Sequence, residues 1–140
     1  MTELFREAEA SGITVEYCRI PLNESISVQD TEGDFVLMDY SLIEAGAKER
    51  VHLAHELGHC VTGSFYNRYA ARDVRQKHEH RADKWAIQQI VPQAEFDRAV
   101  ADGCATVWDL AERFSVTEEF MRKAICLYTN GNLAVELYGA

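Results

Sequence analysis

Two histidines four residues apart, with a glutamate directly after the first, sit in Val51-His52-Leu53-Ala54-His55-Glu56-Leu57-Gly58-His59, an HExxH pattern. On a helix, positions i and i+4 differ by about 40° around the axis, so the imidazoles of His55 and His59 converge on one point. That spacing suits two legs of a tetrahedral zinc site. Glu56 lies about 100° round from His55, beside such a metal rather than on it. There it can take a proton from a water that the metal acidifies. The flanks argue against a chance pattern on a solvated helix. Val51, Leu53, Ala54, Leu57, Cys60 and Val61 make the segment apolar nearly all round, hence buried. Burying His55, Glu56 and His59 without partners is costly, and one metal with its water satisfies all three.

A catalytic zinc site needs a third protein ligand. His78, Glu79 and His80 are the candidates, at the start of a second helical stretch. Glu79 shares its face, within about 60°, with Ala82, Asp83, Ala86 and Ile90, while His78 and His80 lie about 100° to either side. A carboxylate in the middle of an apolar face requires a strong partner, so Glu79 is the expected ligand, with one zinc per chain. Asp83, one turn on, can accept the second N–H of a metal-bound histidine, or pair with Arg81 or Lys84. His52, about 60° from His55, either supports this group from behind or is an ordinary core histidine. Cys60 points about 140° away from His55 and is excluded as a ligand.

These side chains must be held by elements that the rest of the chain supplies. Residues 2–11 have helical spacing up to Gly12. Ile13 to Ile20 alternates as a strand, and Ser25 to Gln29 and Phe35 to Tyr40 read as two more. The turn-rich Asp30-Thr31-Glu32-Gly33-Asp34 suggests an antiparallel hairpin between the last two. Ser41 and Glu44 have capping-box spacing ahead of a helix over about 45–62 that Gly63 stops. Residues 64–76 read as a loop, and a second helix over about 77–91 must end at Pro92. Three shorter helices follow over about 93–102, 107–114 and 117–129, with Thr106 and Ser115 or Thr117 as N-caps. The expectation is a single α+β domain: helix plus small antiparallel three-stranded sheet in 1–40, zinc-binding helices in 41–92, and C-terminal helices in 93–140.

The 140 residues carry 23 acidic and 14 basic side chains, net −9, which argues against general phosphate binding. The charge is segregated. Residues 1–46 hold ten acids and two bases, net −8; residues 47–91 hold five and eight, net +3; residues 92–140 hold eight and four, net −4. Arg68, Arg72, Arg75, Lys77, Arg81 and Lys84 crowd the approach to the second helix. They form either a solvated face or a rim, with Arg72 and Arg75 foremost, that recruits an acidic stretch of a protein substrate. No apolar run is long enough to span a bilayer, and the start of the chain lacks the features of a signal peptide. With four scattered cysteines and no CxxC pair, the expected location is the cytoplasm.

HELGH followed by Glu79-His80-Arg81-Ala82-Asp83-Lys84-Trp85-Ala86 and Val91-Pro92 resembles the ImmA/IrrE family of zinc metallopeptidases, over about residues 35–128. The family's second motif is ExxANxFA, so Asp83 stands where asparagine is common and Trp85 where phenylalanine is. The resemblance implies a compact zincin-like fold. It implies His55, His59 and Glu79 as zinc ligands and Glu56 as the catalytic glutamate. It further implies cleavage of a helix-turn-helix repressor of a phage or mobile element. Tyr66 or Tyr69 could donate to the oxyanion. Substrate would pair with an edge strand, for which Phe35 to Tyr40 is the candidate because it leads directly into the metal-binding helix. The alternative function is a protein-binding regulatory module whose zinc site is silent or weakly active alone. Residues 109–127 have a helix-turn-helix look, but the second helix opens on Glu118-Glu119, the wrong charge for DNA. They read as packing helices, with no nucleic-acid or membrane partner. The oligomeric state is open.

Overall fold

The structure, a computed structural model, describes residues 1–67 and 69–133. Helix α1 (Thr2–Ala10) turns Leu4 and Ala8 inward against the sheet. The sheet comprises β1 (Ile13–Cys18), β2 (Ser25–Asp30) and β3 (Gly33–Asp39). β2 and β3 form the expected antiparallel hairpin. Asp30 Oδ1 accepts from the Glu32 amide at 2.7 Å, and Gly33 takes a φ of 138° that side chains resist.

β1 departs from the sequence expectation. It pairs parallel to β3, from Ile13 opposite Asp34 to Cys18 opposite Asp39, so the order is β1-β3-β2 and the sheet is mixed. The reason lies in the Arg19–Glu24 link. β1 and β2 run in opposite directions, so the link need only step over the end of β3, roughly 10 Å for two strand spacings. Asp39, at that end, ties the step down by accepting from the Ile20 amide at 2.7 Å and the Ser41 amide at 2.9 Å. Those amides hold its carboxyl down to about 2. β3 thus becomes the central strand, with Val36 and Met38 fully buried, and β2 becomes an edge.

The same Asp39 overrides the expected capping box. It captures the Ser41 amide in a short 3₁₀ turn, Tyr40–Leu42, and Glu44 then takes a left-handed φ of 60°. Helix α2 (Ala47–Thr62) starts only after Gly46 and ends at Gly63, whose φ of 67° is the left-handed C-terminal turn the sequence expects. Helix α3 (Arg72–Ile90) begins five residues earlier than its apolar period indicates. Its first turns are solvent-exposed, and arginine, lysine and glutamine favour helix without needing burial. Helices α4 (Gln93–Ala101), α5 (Val107–Phe114) and α6 (Glu118–Asn130) follow. Thr106 and Thr117 cap the last two by accepting from the Asp109 and Phe120 amides.

One hydrophobic cluster runs from Leu4 of α1 through Met38 and Leu53 to Ile87, Met121 and Leu127. Within it α2 and α3 cross at backbone contact. A Cβ on Gly58 would lie 2.5 Å from the Ala82 carbonyl oxygen, so only glycine permits this spacing. Among the described residues no helix is long and apolar enough to cross a membrane.

Candidate metal centre

The crossing of α2 over α3 brings His55 and His59 against Glu79. His59 Nε2 lies 2.6 Å from Glu79 Oε2 and 3.2 Å from His55 Nε2, and His55 Nε2 lies 3.5 Å from Glu79 Oε1. One ligating atom from each residue falls within 4.8 Å of the others. His78 and His80 stay outside this cluster, as does Cys60, whose thiol burial pushes up to about 12.

The far nitrogens of both imidazoles are already committed. His55 Nδ1 donates to Asp83 Oδ1 at 2.7 Å, and His59 Nδ1 donates to the Ser64 carbonyl at 2.7 Å. A carbonyl can only accept, and a buried aspartate beside a lysine is ionised, so both rings carry their first proton on Nδ1. Two Nε2 lone pairs and a carboxylate then face one another across about 3 Å. That donor set is stable only with a cation at its centre, either a second proton on a ring or a metal ion. Glu79 is correspondingly driven below the usual carboxylate range: burial opposes its charge, but the hydrogen bonds from both histidines outweigh it. Three converging N and O donors of this kind, each imidazole braced from behind, fit zinc.

The sequence pattern of the IrrE N-terminal-like domain, a peptidase family, matches residues 8–125. The chain belongs to that family. Among curated proteins none matches the chain. The IrrE-like match reaches further toward the N-terminus than the resemblance in the motifs alone, taking in the whole sheet. The family is one of zinc metallopeptidases, and the α+β architecture here is a compact zincin-like core.

In this IrrE-like core Glu56 is buried beside the ligand cluster but is not one of its three members. Its Oε2 accepts from Ser25 Oγ at 2.8 Å, and Ser25 Oγ lies 2.7 Å from His52 Nδ1. His52 therefore supports the glutamate through a serine, and among the described residues it makes no hydrogen bond to His55 or His59. The cluster forms the floor of a cleft of about 930 Å³. Leu22, Ser25 and Ile26 line one side, and Glu119, Phe120 and Lys123 of α6, with its cap Thr117, line the other. The C-terminal helices do pack, through Phe120, Met121 and Ala124, but α6 is also a wall of the site.

Other sequence expectations separate here. Tyr66 lines the cleft, its ring centroid 6.3 Å from that of His59, whereas Tyr69 is 79% exposed and outside the lining. Arg72 and Arg75 are exposed on the first turns of α3, also outside the lining. Arg68 lies outside the described residues. The proposed edge strand is corrected as well. Residues 35–40 belong to the central strand and its exit, so among the described residues the free edge beside the candidate site is β2.

Ser25, Ser64, Gly58 and Lys123 escape the sequence reading. Only Gly58 leaves a local trace, since glycine in a helix interior costs about 1 kcal/mol and so calls for a packing reason. Lys123 bears on the departure from the family's asparagine. Its Nζ sits 3.2 Å from Asp83 Oδ2, so the charge introduced by Asp83 is shared between His55 and a cation from α6. Lys123→Met should destabilise the metal-free chain by about 2 kcal/mol by leaving a buried carboxylate short of its cation. Adding Asp83→Asn should recover most of that loss. Denaturant unfolding of the two single variants and the double variant measures the coupling, expected to be at least ~1 kcal/mol. Strict additivity would show that the pair is incidental.

Proposed function

We propose that this chain is a zinc endopeptidase that hydrolyses a regulatory protein, with a helix-turn-helix repressor of a phage or mobile element as the substrate class. The observation that carries the reading is Glu56: a buried carboxylate, hydrogen-bonded by Ser25 but outside the ligand set, on the floor of an open cleft. A purely structural zinc site has no use for such a base. His55, His59 and Glu79 would hold the ion, which when bound supplies Lewis-acid polarisation of the scissile carbonyl and acidification of the attacking water. Glu56 takes the proton from that water and passes it to the leaving amine. Tyr66, at the cleft wall, is the better placed of the two tyrosines to donate to the oxyanion.

Among the described residues β2 has one edge unpaired, and this supports an extended substrate added as a further strand, since Ser25, Ile26 and Ser27 line the cleft. Arg72 and Arg75, outside the cleft lining, would act on parts of a folded substrate beyond the cleft. The reading places the enzyme in the cytoplasm, which the four unpaired cysteines support.

The test pairs metal and activity. Wild type and Glu56→Gln should each bind one zinc per chain. Only wild type should cleave the repressor encoded beside the gene, with kcat/KM of the variant at least ~100-fold lower, as loss of a general base implies. Equal cleavage by both removes Glu56 from the chemistry. Zinc binding without cleavage by either favours the protein-binding module.

A further inference from the structure

The cleft holds a hydrogen-bonded chain that neither the ligand set nor the HExxH pattern requires: His52, Ser25 and Glu56. We infer that Ser25 and His52 form a clamp that fixes one oxygen of Glu56, so that the other is the one that handles the proton. This rests on the peptidase reading for its consequence but not for its geometry.

The direction of the chain follows from counting protons. The Glu56 carboxylate can only accept, and the Ser25 hydroxyl has a single proton, which it gives to Oε2 at 2.8 Å. Ser25 Oγ must therefore accept at its second contact, 2.7 Å from His52 Nδ1, so His52 carries its proton on Nδ1. Burial disfavours the charged form of His52, which leaves a neutral ring with the proton on that nitrogen. The chain reads His52 N–H to Ser25 O–H to Glu56, every donor spent and one carboxylate oxygen left over.

Its three members come from two elements. His52 and Glu56 are one turn apart on α2, and Ser25 opens the edge strand β2 opposite Met38. Ser25 is buried, at 8% exposure, where an unpartnered hydroxyl would be costly. The clamp thus joins the strand along which a peptide would add to the glutamate that would act on it. Ser25 and His52 are positioning residues, since neither need touch substrate.

Two measurements on the intact chain test this. In the first, nitrogen-15 NMR of the histidine side chains should find His52 in the neutral Nδ1–H tautomer, with Ser25→Ala releasing it from that state. A His52 with its proton on Nε2 in wild type would overturn the clamp, because the serine proton would then point at His52 instead of Glu56.

The second uses acetohydroxamate, a small zinc-binding acid that gives its proton to a neighbouring base, on the zinc-loaded chain. Ser25→Ala should weaken its binding by about 10-fold, the range of one hydrogen bond to a charged group. Ser25→Thr, which keeps the hydroxyl, should restore it, and zinc affinity should stay within twofold in both. Unchanged acetohydroxamate binding in Ser25→Ala, with Glu56→Gln impaired, would overturn the inference alone. Unchanged binding in Glu56→Gln, with the tautomer as expected, would instead overturn the peptidase reading and leave the clamp standing.

Discussion

Glu79→Ala should cost the chain at least two orders of magnitude in zinc affinity. Four-ligand structural zinc sites are worth roughly 10–16 kcal/mol, so one protein ligand contributes about 3 kcal/mol. Glu79 is the only member of the cluster on α3 and the only anion among the three. Competition against a chromophoric chelator measures the loss; an unchanged affinity would pass the ligand role to another side chain.

The same residue, together with Asp83, shapes how the metal-free chain responds to pH. Burial works against charge on His55, but its hydrogen bonds to Asp83 and Glu79 prevail and raise the ring to about 10. The folded value exceeds the ordinary ~6.5, so this contribution to stability is complete below about 6.5 and is lost as pH rises toward about 10. Zinc reverses the dependence, because it needs both Nε2 atoms without protons and its binding strengthens as they leave. The melting temperature of chelator-treated protein should therefore fall between pH 7 and 10 while that of zinc-loaded protein does not. Glu79→Ala should make the first curve shallower, and the Asp83 contact to His55 should keep it from becoming flat. Parallel curves for the two forms would refute the proton–metal competition.

Gly58→Ala is the second large effect, and it acts through the helix crossing, on the backbone of Ala82. The added Cβ would stand 2.5 Å from the Ala82 carbonyl oxygen and 3.0 Å from Ala82 Cα, both backbone atoms with no rotamer to give way. Overpacking of this kind costs about 1–3 kcal/mol or more, against a helix-propensity gain of about 1 kcal/mol. A net destabilisation of about 2 kcal/mol is expected in denaturant unfolding. Ala82 lies between Glu79 and Asp83, so parting the helices stretches the contacts both make to the histidines, at 2.6 Å and 2.7 Å. Zinc affinity should fall at least ~10-fold, in the range of lost outer contacts to metal ligands. A variant that unfolds at the wild-type midpoint and holds zinc as tightly would show that the crossing distance is not what sets the site.

The legible part of this protein is local. His55, Glu56 and His59 declare themselves by spacing along one helix, and Glu79 by standing in the middle of an apolar face, because 3.6 residues per turn converts sequence offset directly into direction. Helix ends at Gly63, Pro92, Thr106 and Thr117 are legible for the same reason, since each is a property of one residue's backbone or side chain. The capping box at Ser41 and Glu44 fails because Asp39 competes for the Ser41 amide, and nothing in the spacing ranks one acceptor above another. The start of α3 fails because its first turns bury nothing, and periodicity records only what is buried.

By itself the sequence determined the donor set, the elements that carry it and the α+β class. The tertiary structure alone decided which strand is the edge, that α6 walls the cleft, and that Ser25 and Lys123 reach Glu56 and Asp83. Those contacts join residues 31 and 40 positions apart. At that separation no helical or strand period relates the partners. Their meeting depends on the Arg19–Glu24 link stepping over β3 and on two helices touching at Gly58, choices settled by packing the whole core at once.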